Sequence, residues 1–483
     1  MAVSKTVVLN PAESVSSFRD PAGALIRADK AVYRWVREAY APVLTRFLAS
    51  TLYSEGVASG DLIPTTAVSN EAEIRDRLLD GRSEGLLLEH ERVPFPSYPY
   101  EWSPGMLHAS AELTLKLAER ALEEGFGLKD ATPYNVLFRG PNPVFVDVLS
   151  FEERDPADPI WLPNAQFQRM FVLPLLLMKH FGTSAAEIFL GRPEGIEPDV
   201  VYRRCHPLQR LSPSFLTSVS LPTWLAKRGN TQKENLYAAR KTDPEKAKYI
   251  LGFRLRGLRK QLDRFRPQGS GKSVWSDYMS TLSYDDEDFR CKSETVDRWL
   301  RQTKPESVLD AGCNTGHFSE LAAKQNARVV AIDFDPMVVE SVRRRALSNK
   351  LNILPLVVNL ARPTPACGWR NLEYSSFVDR ATQAFDTVLM LALIHHLLVT
   401  ERVPLPEIID LAATMTKRYA IIEYVGKEDS MFRTLTRGRE SLHADFTQER
   451  FEEACRQRFT IEEKQPLMSN LRCLYLLRAR DTQ

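Results

Sequence analysis

After residue 285, short unbroken apolar runs alternate with stretches in which apolar residues recur every three or four positions. Ser307 to Asp310, Arg328 to Asp333, Ile353 to Val358, Phe385 to Ala392 and Tyr419 to Tyr424 are too short for helices and read as strands. Helical spacing falls between them, in Phe289, Val296, Trp299 and Leu300, in Leu321 to Ala323, in Leu405 to Met415, and in Phe451, Ala454 and Cys455. Phe459–Ile461 and Leu471–Leu477 then fit the arms of a closing antiparallel hairpin. Strands alternating with helices predict an α/β domain with a parallel sheet, seven strands in all once the hairpin is added.

The first half is patterned differently. Phe18 to Val36 reads as a β-hairpin turning at Asp29-Lys30, and Leu86 to Leu88 as a further strand. Leu107 to Leu122 has the stripe of an amphipathic helix and stops at Gly125. Met170 to Met178 is the most apolar stretch; it falls far short of the ~20 residues that span a bilayer and contains Pro174, so a buried helix is expected. Lys246 to Arg266 predicts a basic helix carrying Arg254, Arg256, Arg259, Lys260 and Arg264, ending in the Pro- and Gly-rich seam that runs to Lys272. The expected division is a mixed α+β domain over 1–245 that recognises the acceptor of the chemistry below, a basic helix and linker over 246–284, and the α/β domain over 285–483.

Composition changes this picture little. The net charge is +2 from 64 basic and 62 acidic residues, which gives no global pull toward nucleic acid or anionic membrane. The basic helix reads as a solvated face, so nucleic acid is not an expected partner. Six cysteines (205, 291, 313, 367, 455, 473) are scattered without metal-ligand spacing and read as reduced thiols. The first residues lack the basic start and apolar core of a signal peptide, so a cytoplasmic protein without a membrane span is expected.

The candidate chemistry begins at Glu306 to Ser319, a strand, a glycine loop and a helix. Gly312 and Gly316 stand where a backbone turns sharply and lets a ligand approach, and Asn314 between them tolerates the left-handed conformation. Asp310 ends the strand, giving D-x-G-x-N-x-G in place of the dinucleotide fingerprint. A carboxylate there repels a pyrophosphate but suits the positively charged methionine end of S-adenosyl-L-methionine. The second strand ends in Asp333, 23 positions after Asp310, where ribose hydroxyls are held in Rossmann-like folds.

With VLDAGCNTGHFS, VVAIDFDP, FDTVLMLALIHHLL and IIEYVGKED, residues 285–483 resemble the class I S-adenosylmethionine-dependent methyltransferases. Asn314 replaces the usual middle glycine. The resemblance implies that Asp310, Gly312, Asn314 and Gly316 cradle the methionine and ribose side of the cofactor. It also implies that Asp333 holds the ribose and that Asn359 meets the adenine.

Methyl transfer needs positioning and, for a protonated acceptor, a base. His395 and His396 follow the fourth strand and Glu423 lies at the end of the fifth, at the sheet edge where ligands bind. The Asn/Asp-Pro-Pro-Tyr segment of base-amine methylation is missing after the fourth strand, and Cys367 is on the wrong loop for a cytosine-C5 nucleophile. An oxygen or nitrogen of a small molecule, glycan or protein remains as the acceptor.

In the first half, LKDATPYN and PVFVD are similar to the catalytic loop and metal-holding Asp of kinase-fold phosphotransferases. That resemblance implies Asp130 as a base and Asn135 and Asp147 as Mg²⁺ holders, the alternative being a bifunctional or kinase-like enzyme. No His precedes Asp130 at the usual place, and no Gly-rich phosphate loop is present. The whole arrangement, LKDATPYN and VFVDVLSFE followed by DAGCNTGHFS and LALIHHL, resembles a bacterial group that includes the nodulation-associated NoeA-type proteins.

Overall fold

The computed structural model describes residues 20–27, 31–68, 85–228, 242–267, 286–467 and 470–480. In the first half, β1 (Gly23–Arg27), β2 (Val32–Val36), β3 (Thr65–Ala67) and β4 (Leu86–His90) form an antiparallel sheet ordered β1-β2-β4-β3. The expected hairpin is β1 and β2, whose turn lies outside the described residues, and the expected strand is β4. Ile26, Leu87 and Trp35 pack on one another from three adjacent strands.

The helix Pro104–Glu123 follows, started by Ser103, whose hydroxyl accepts from the Met106 amide, and by Pro104 at the first turn. It ends at Glu123, two residues before Gly125, which takes a left-handed φ of 80°. Short pairs complete the half: β5 (Phe126–Leu128) with β8 (Phe151–Glu153), and β6 (Val136–Arg139) with β7 (Asn142–Phe145). The apolar run from Met170 is helical and buried, with Pro174 tolerated at the first turn of the helix Leu173–Phe181.

The expected basic helix forms as Pro244–Asp263. It lies along Pro104–Glu123, burying Leu251, Leu255, Leu258 and Leu262. Its cations meet the partner helix's acids: Arg259 with Glu119 at 2.6 Å and Lys248 with Glu123 at 3.0 Å, while Arg266 just beyond meets Glu112 at 2.5 Å. This packing joins the helix to the first half.

The second half is a seven-stranded sheet ordered β11-β10-β9-β12-β13-β15-β14. Its strands are β9 (Ser307–Ala311), β10 (Arg328–Asp333), β11 (Ile353–Val357), β12 (Phe385–Met390), β13 (Thr416–Val425), β14 (Phe459–Pro466) and β15 (Arg472–Ala479). The first five in sequence are parallel, and β15 is antiparallel to both neighbours. This is the expected Rossmann-like sheet with its closing hairpin. All five residues of β9 are buried, as a strand covered on both faces requires. The chain runs outward from β9 to β11 and returns on the other side at β12, which opens the ligand crevice between β9 and β12.

One apolar cluster runs from Phe47 and Trp102 through Leu309, Ile332 and Tyr475, so the two halves share a core. Polar contacts cross the same boundary. Glu101 is fully buried and receives Arg380, with Nη1 to Oε2 at 3.1 Å, and the Thr364 hydroxyl at 2.5 Å. The Glu340 carboxylate accepts from the Ser103 hydroxyl at 2.6 Å and the Gly105 amide at 3.1 Å. A Cβ on Gly105 would stand 2.2 Å from that carboxylate and would have to displace it. Among the described residues, no helix is long and apolar enough to cross a membrane.

Candidate active site

The loop after β9 is held from below by β10. The Gly312 and Cys313 amides both donate to the Ile332 carbonyl at 2.9 Å. Gly312, Asn314 and Gly316 all take positive φ, at 75°, 46° and 82°. A Cβ on Gly316 would press on Val342 at 3.0 Å, so both glycines earn their places by conformation and approach. The helix His317–Lys324 then leaves the loop with its N-terminal amides toward the crevice.

Two carboxylates face this loop. Asp310 accepts from the Ser319 hydroxyl at 2.6 Å. Burial pushes Asp310 up to about 6, with Asp333 adding to the rise and Ser319 and Lys292 opposing it. Asp333 accepts from the Asn314 amide at 3.1 Å and the Asp335 amide at 3.1 Å. Burial raises its pKa as well, against those amides. Each carboxylate oxygen has a second lone pair, so Asp333 keeps acceptor capacity for hydroxyls.

Asn359 follows β11, beside Asp333, whose carbonyl accepts from Val358; its own side-chain oxygen accepts from Ala361 at 2.9 Å. Phe334, next to Asp333, remains 53% exposed. The Asn314 side-chain oxygen is buried with no partner among the described residues, which a well-folded chain tolerates where a ligand supplies the donor. These features fit a cationic amino acid joined to a nucleoside.

Beyond β12 the chain turns through His395 and His396, whose rings lie 4.3 Å apart. His395 is 1% exposed, and neither of its ring nitrogens has a partner among the described residues. Burial, then His396 and Arg472, holds its pKa well below the ordinary histidine value, so the ring is neutral. Burial and Arg472 lower His396 too.

Glu423 is fully buried near the end of β13, bound by Lys292 Nζ at 2.5 Å and Arg472 Nη1 at 3.3 Å. Burial alone would raise its pKa, but the two cations more than reverse that and keep it ionised. Arg472 continues to Asp429, with Nε to Oδ2 at 2.8 Å. The sequence reading missed Lys292, Asp429 and Arg472. A readable sign existed for two of them: Lys292 interrupts the apolar stripe from Phe289 to Leu300, and Arg472 sits inside the last apolar run.

In the first half, Asn135 and Asp147 do come together. Asn135 donates to the Ser150 hydroxyl at 2.9 Å, and that hydroxyl donates to Asp147 at 2.7 Å. Arg34 of β2 takes the other Asp147 oxygen at 3.0 Å and also reaches Asp20 at 3.3 Å. The Arg34 guanidinium thus supplies beside Asp147 the positive charge that a divalent cation would otherwise bring. Burial raises Asp130, with Asp147 and Asp20 adding to the rise. The one His/Asp/Glu group at metal-ligand distances among the described residues is His108, Glu112 and Asp263. Arg266 already bridges its two acids there.

A family of methyltransferase domains matches residues 284–464. The nodulation protein NoeA of Rhizobium meliloti (strain 1021) is 30% identical over 482 residues, covering 98% of each chain. Among solved structures, the PH0226 protein of Pyrococcus horikoshii OT3 is 17% identical with a TM-score of 0.32, over 44% of this chain and 100% of its own. The N-methyltransferase NodS of Bradyrhizobium japonicum WM9 is 16% identical with a TM-score of 0.31, over 41% of this chain and 99% of its own. The full-length match to NoeA and the methyltransferase domain within it show that the chain belongs to the NoeA family and is a class I, S-adenosylmethionine-dependent methyltransferase.

Proposed function

We propose that the chain methylates an oxygen or nitrogen of its acceptor with His395 as the base, and that the first half helps to recognise that acceptor. The observation that carries the reading is a neutral, buried imidazole with two unpartnered nitrogens at the carboxyl edge of β12. When bound, S-adenosylmethionine supplies a methyl group on a positive sulfur, displaced in line by an acceptor lone pair while the C–S electron pair stays with sulfur.

Asp310 holds the ligand's ammonium, Asp333 the ribose hydroxyls, and Asn359 with Phe334 the adenine edge and face. His395 takes the acceptor's proton as the new bond forms. His396 packs on His395 and fixes its ring. Glu423 serves by keeping Lys292 and Arg472 in place, since each of its two oxygens is already engaged by one of those cations. A phosphotransferase reading of Asp130, Asn135 and Asp147 gains nothing from the geometry, because Arg34 neutralises Asp147.

The test is transfer of tritium from methyl-labelled S-adenosylmethionine into fractions of an extract from cells lacking the chain. His395→Ala should cut transfer by roughly 10²–10⁴-fold and leave S-adenosylhomocysteine affinity unchanged. Undiminished transfer by the variant removes His395 from the chemistry.

Cofactor affinity should depend on pH through Asp310. Its carboxyl is ionised above about 6 and attracts the ligand's ammonium; below that it protonates and the attraction is lost. Calorimetric S-adenosylmethionine affinity should be flat above pH 7 and weaker by about tenfold at pH 5. Equal affinity at both values would show that Asp310 does not carry the ammonium.

A further inference from the structure

A cavity of about 360 Å³ opens between the turn that follows His396 and the helix Ser430–Thr436 with the segment after it. Its size is that of a small-molecule site. Leu398, Leu435, Leu442 and Phe446 supply apolar wall, and Leu442 is left 69% exposed. Arg402 and Arg439 line the same space, and neither guanidinium has a side-chain or backbone partner among the described residues. A third arginine there, Arg450, is held by Asp445. Three cations thus meet one acid around a cavity that is otherwise largely apolar.

Two guanidinia lining one cavity give it a positive potential, and their forked donors match carboxylate or phosphate oxygens. Arg402 is moreover held at a φ of 57°, a left-handed conformation that costs a non-glycine residue about 1 kcal/mol or more. The cavity is tied to the reacting groups from both sides. Leu398 follows His395 by three residues on one turn. The opposite helix starts at Asp429, which caps it and is gripped by Arg472, itself bound to Glu423.

We propose that this cavity takes the methyl acceptor and that the acceptor is an amphiphilic anion. Its apolar body lies against Leu398, Leu435, Leu442 and Phe446, and its carboxylate or phosphate is held by Arg402 and Arg439. That the ligand is the acceptor rests on the methyltransferase reading above; that the cavity binds such an anion does not.

The experiment titrates full-length protein with decanoate, decyl phosphate and decan-1-ol by calorimetry, with and without saturating S-adenosylhomocysteine. Expected is binding of at least one anion about tenfold or more tighter than decanol, the stronger of the two identifying the headgroup. R402Q/R439Q should remove that preference while S-adenosylhomocysteine binds as before, and Leu442→Ser should weaken anion and alcohol alike. Both arginines and Leu442 are exposed, so these variants fold. Decanol binding as tightly as the anions, anion affinity unchanged in R402Q/R439Q, or no binding by any probe overturns the proposal. Loss of S-adenosylhomocysteine binding in the unmodified protein would instead strike the cofactor reading, and the anion titration stands apart from it.

Discussion

Asp333→Ala should weaken S-adenosylhomocysteine binding by about 10²–10⁴-fold in calorimetry, the largest loss of cofactor affinity expected from a single substitution in this chain. The carboxylate would be a double acceptor for the ribose, and each hydrogen bond to a charged group contributes about 1.5–3 kcal/mol. It also anchors the loop itself, through the amides of Asn314 and Asp335. Removing it frees two amides and the backbone they hold, so the cradle around Gly312 and Gly316 loses its preset shape as well. Asp333→Asn keeps one oxygen and should retain more affinity than Asp333→Ala. Unchanged affinity in the alanine variant would mean that the crevice between β9 and β12 does not take the nucleoside.

The glycine loop and the two acids of the candidate cofactor site were legible as structure because their determinants are local. A buried parallel strand, a glycine turn and an acid at the tip of the next strand leave their marks within 28 residues of chain, Glu306 to Asp333, and each mark has a steric or electrostatic cause. His395 and Glu423 were legible for the same reason, as polar residues at the ends of apolar runs. What they touch was not. Glu423 reads as a base in sequence, and it becomes the centre of an ion cluster only because Lys292 and Arg472 arrive from elements 131 and 49 residues away.

The basic helix shows the same limit. Its arginines are plain in the sequence, but the glutamates that answer them lie on a helix about 140 residues earlier, as Arg259 with Glu119 illustrates. Short strands of three to five residues in the first half carry little periodicity, and nothing in the run of β2 marks Arg34 as the residue that would turn inward to Asp147. The joint between the halves was the least legible feature. The residues that join the halves, Phe95, Glu101, Gly105, Glu340 and Arg380, have ordinary local surroundings, and only packing reveals their roles.

That joint should carry the largest stability effect. Glu101→Ala is expected to destabilise the protein by about 3–5 kcal/mol, read as a fall in the urea midpoint of both halves together. The size follows from what is left behind. Arg380 keeps the Pro96 carbonyl at 2.6 Å and the faces of Phe95, Tyr98 and Phe377, but loses its counter-charge in a place water does not reach. The Thr364 hydroxyl loses its acceptor too. Removing both charges is different, because no uncompensated ion remains: Glu101→Met with Arg380→Met should recover most of the loss. Pulsed hydrogen exchange in the peptides around buried Trp102 reports on the first half, and S-adenosylhomocysteine binding reports on the second. If the halves are coupled through this pair, both signals should move to the same lower urea concentration in the single variant and return in the double. A fall confined to the first half would show that the shared core alone holds the second, and a double variant as weak as the single would show that the pair's geometry, not its charge balance, was at stake.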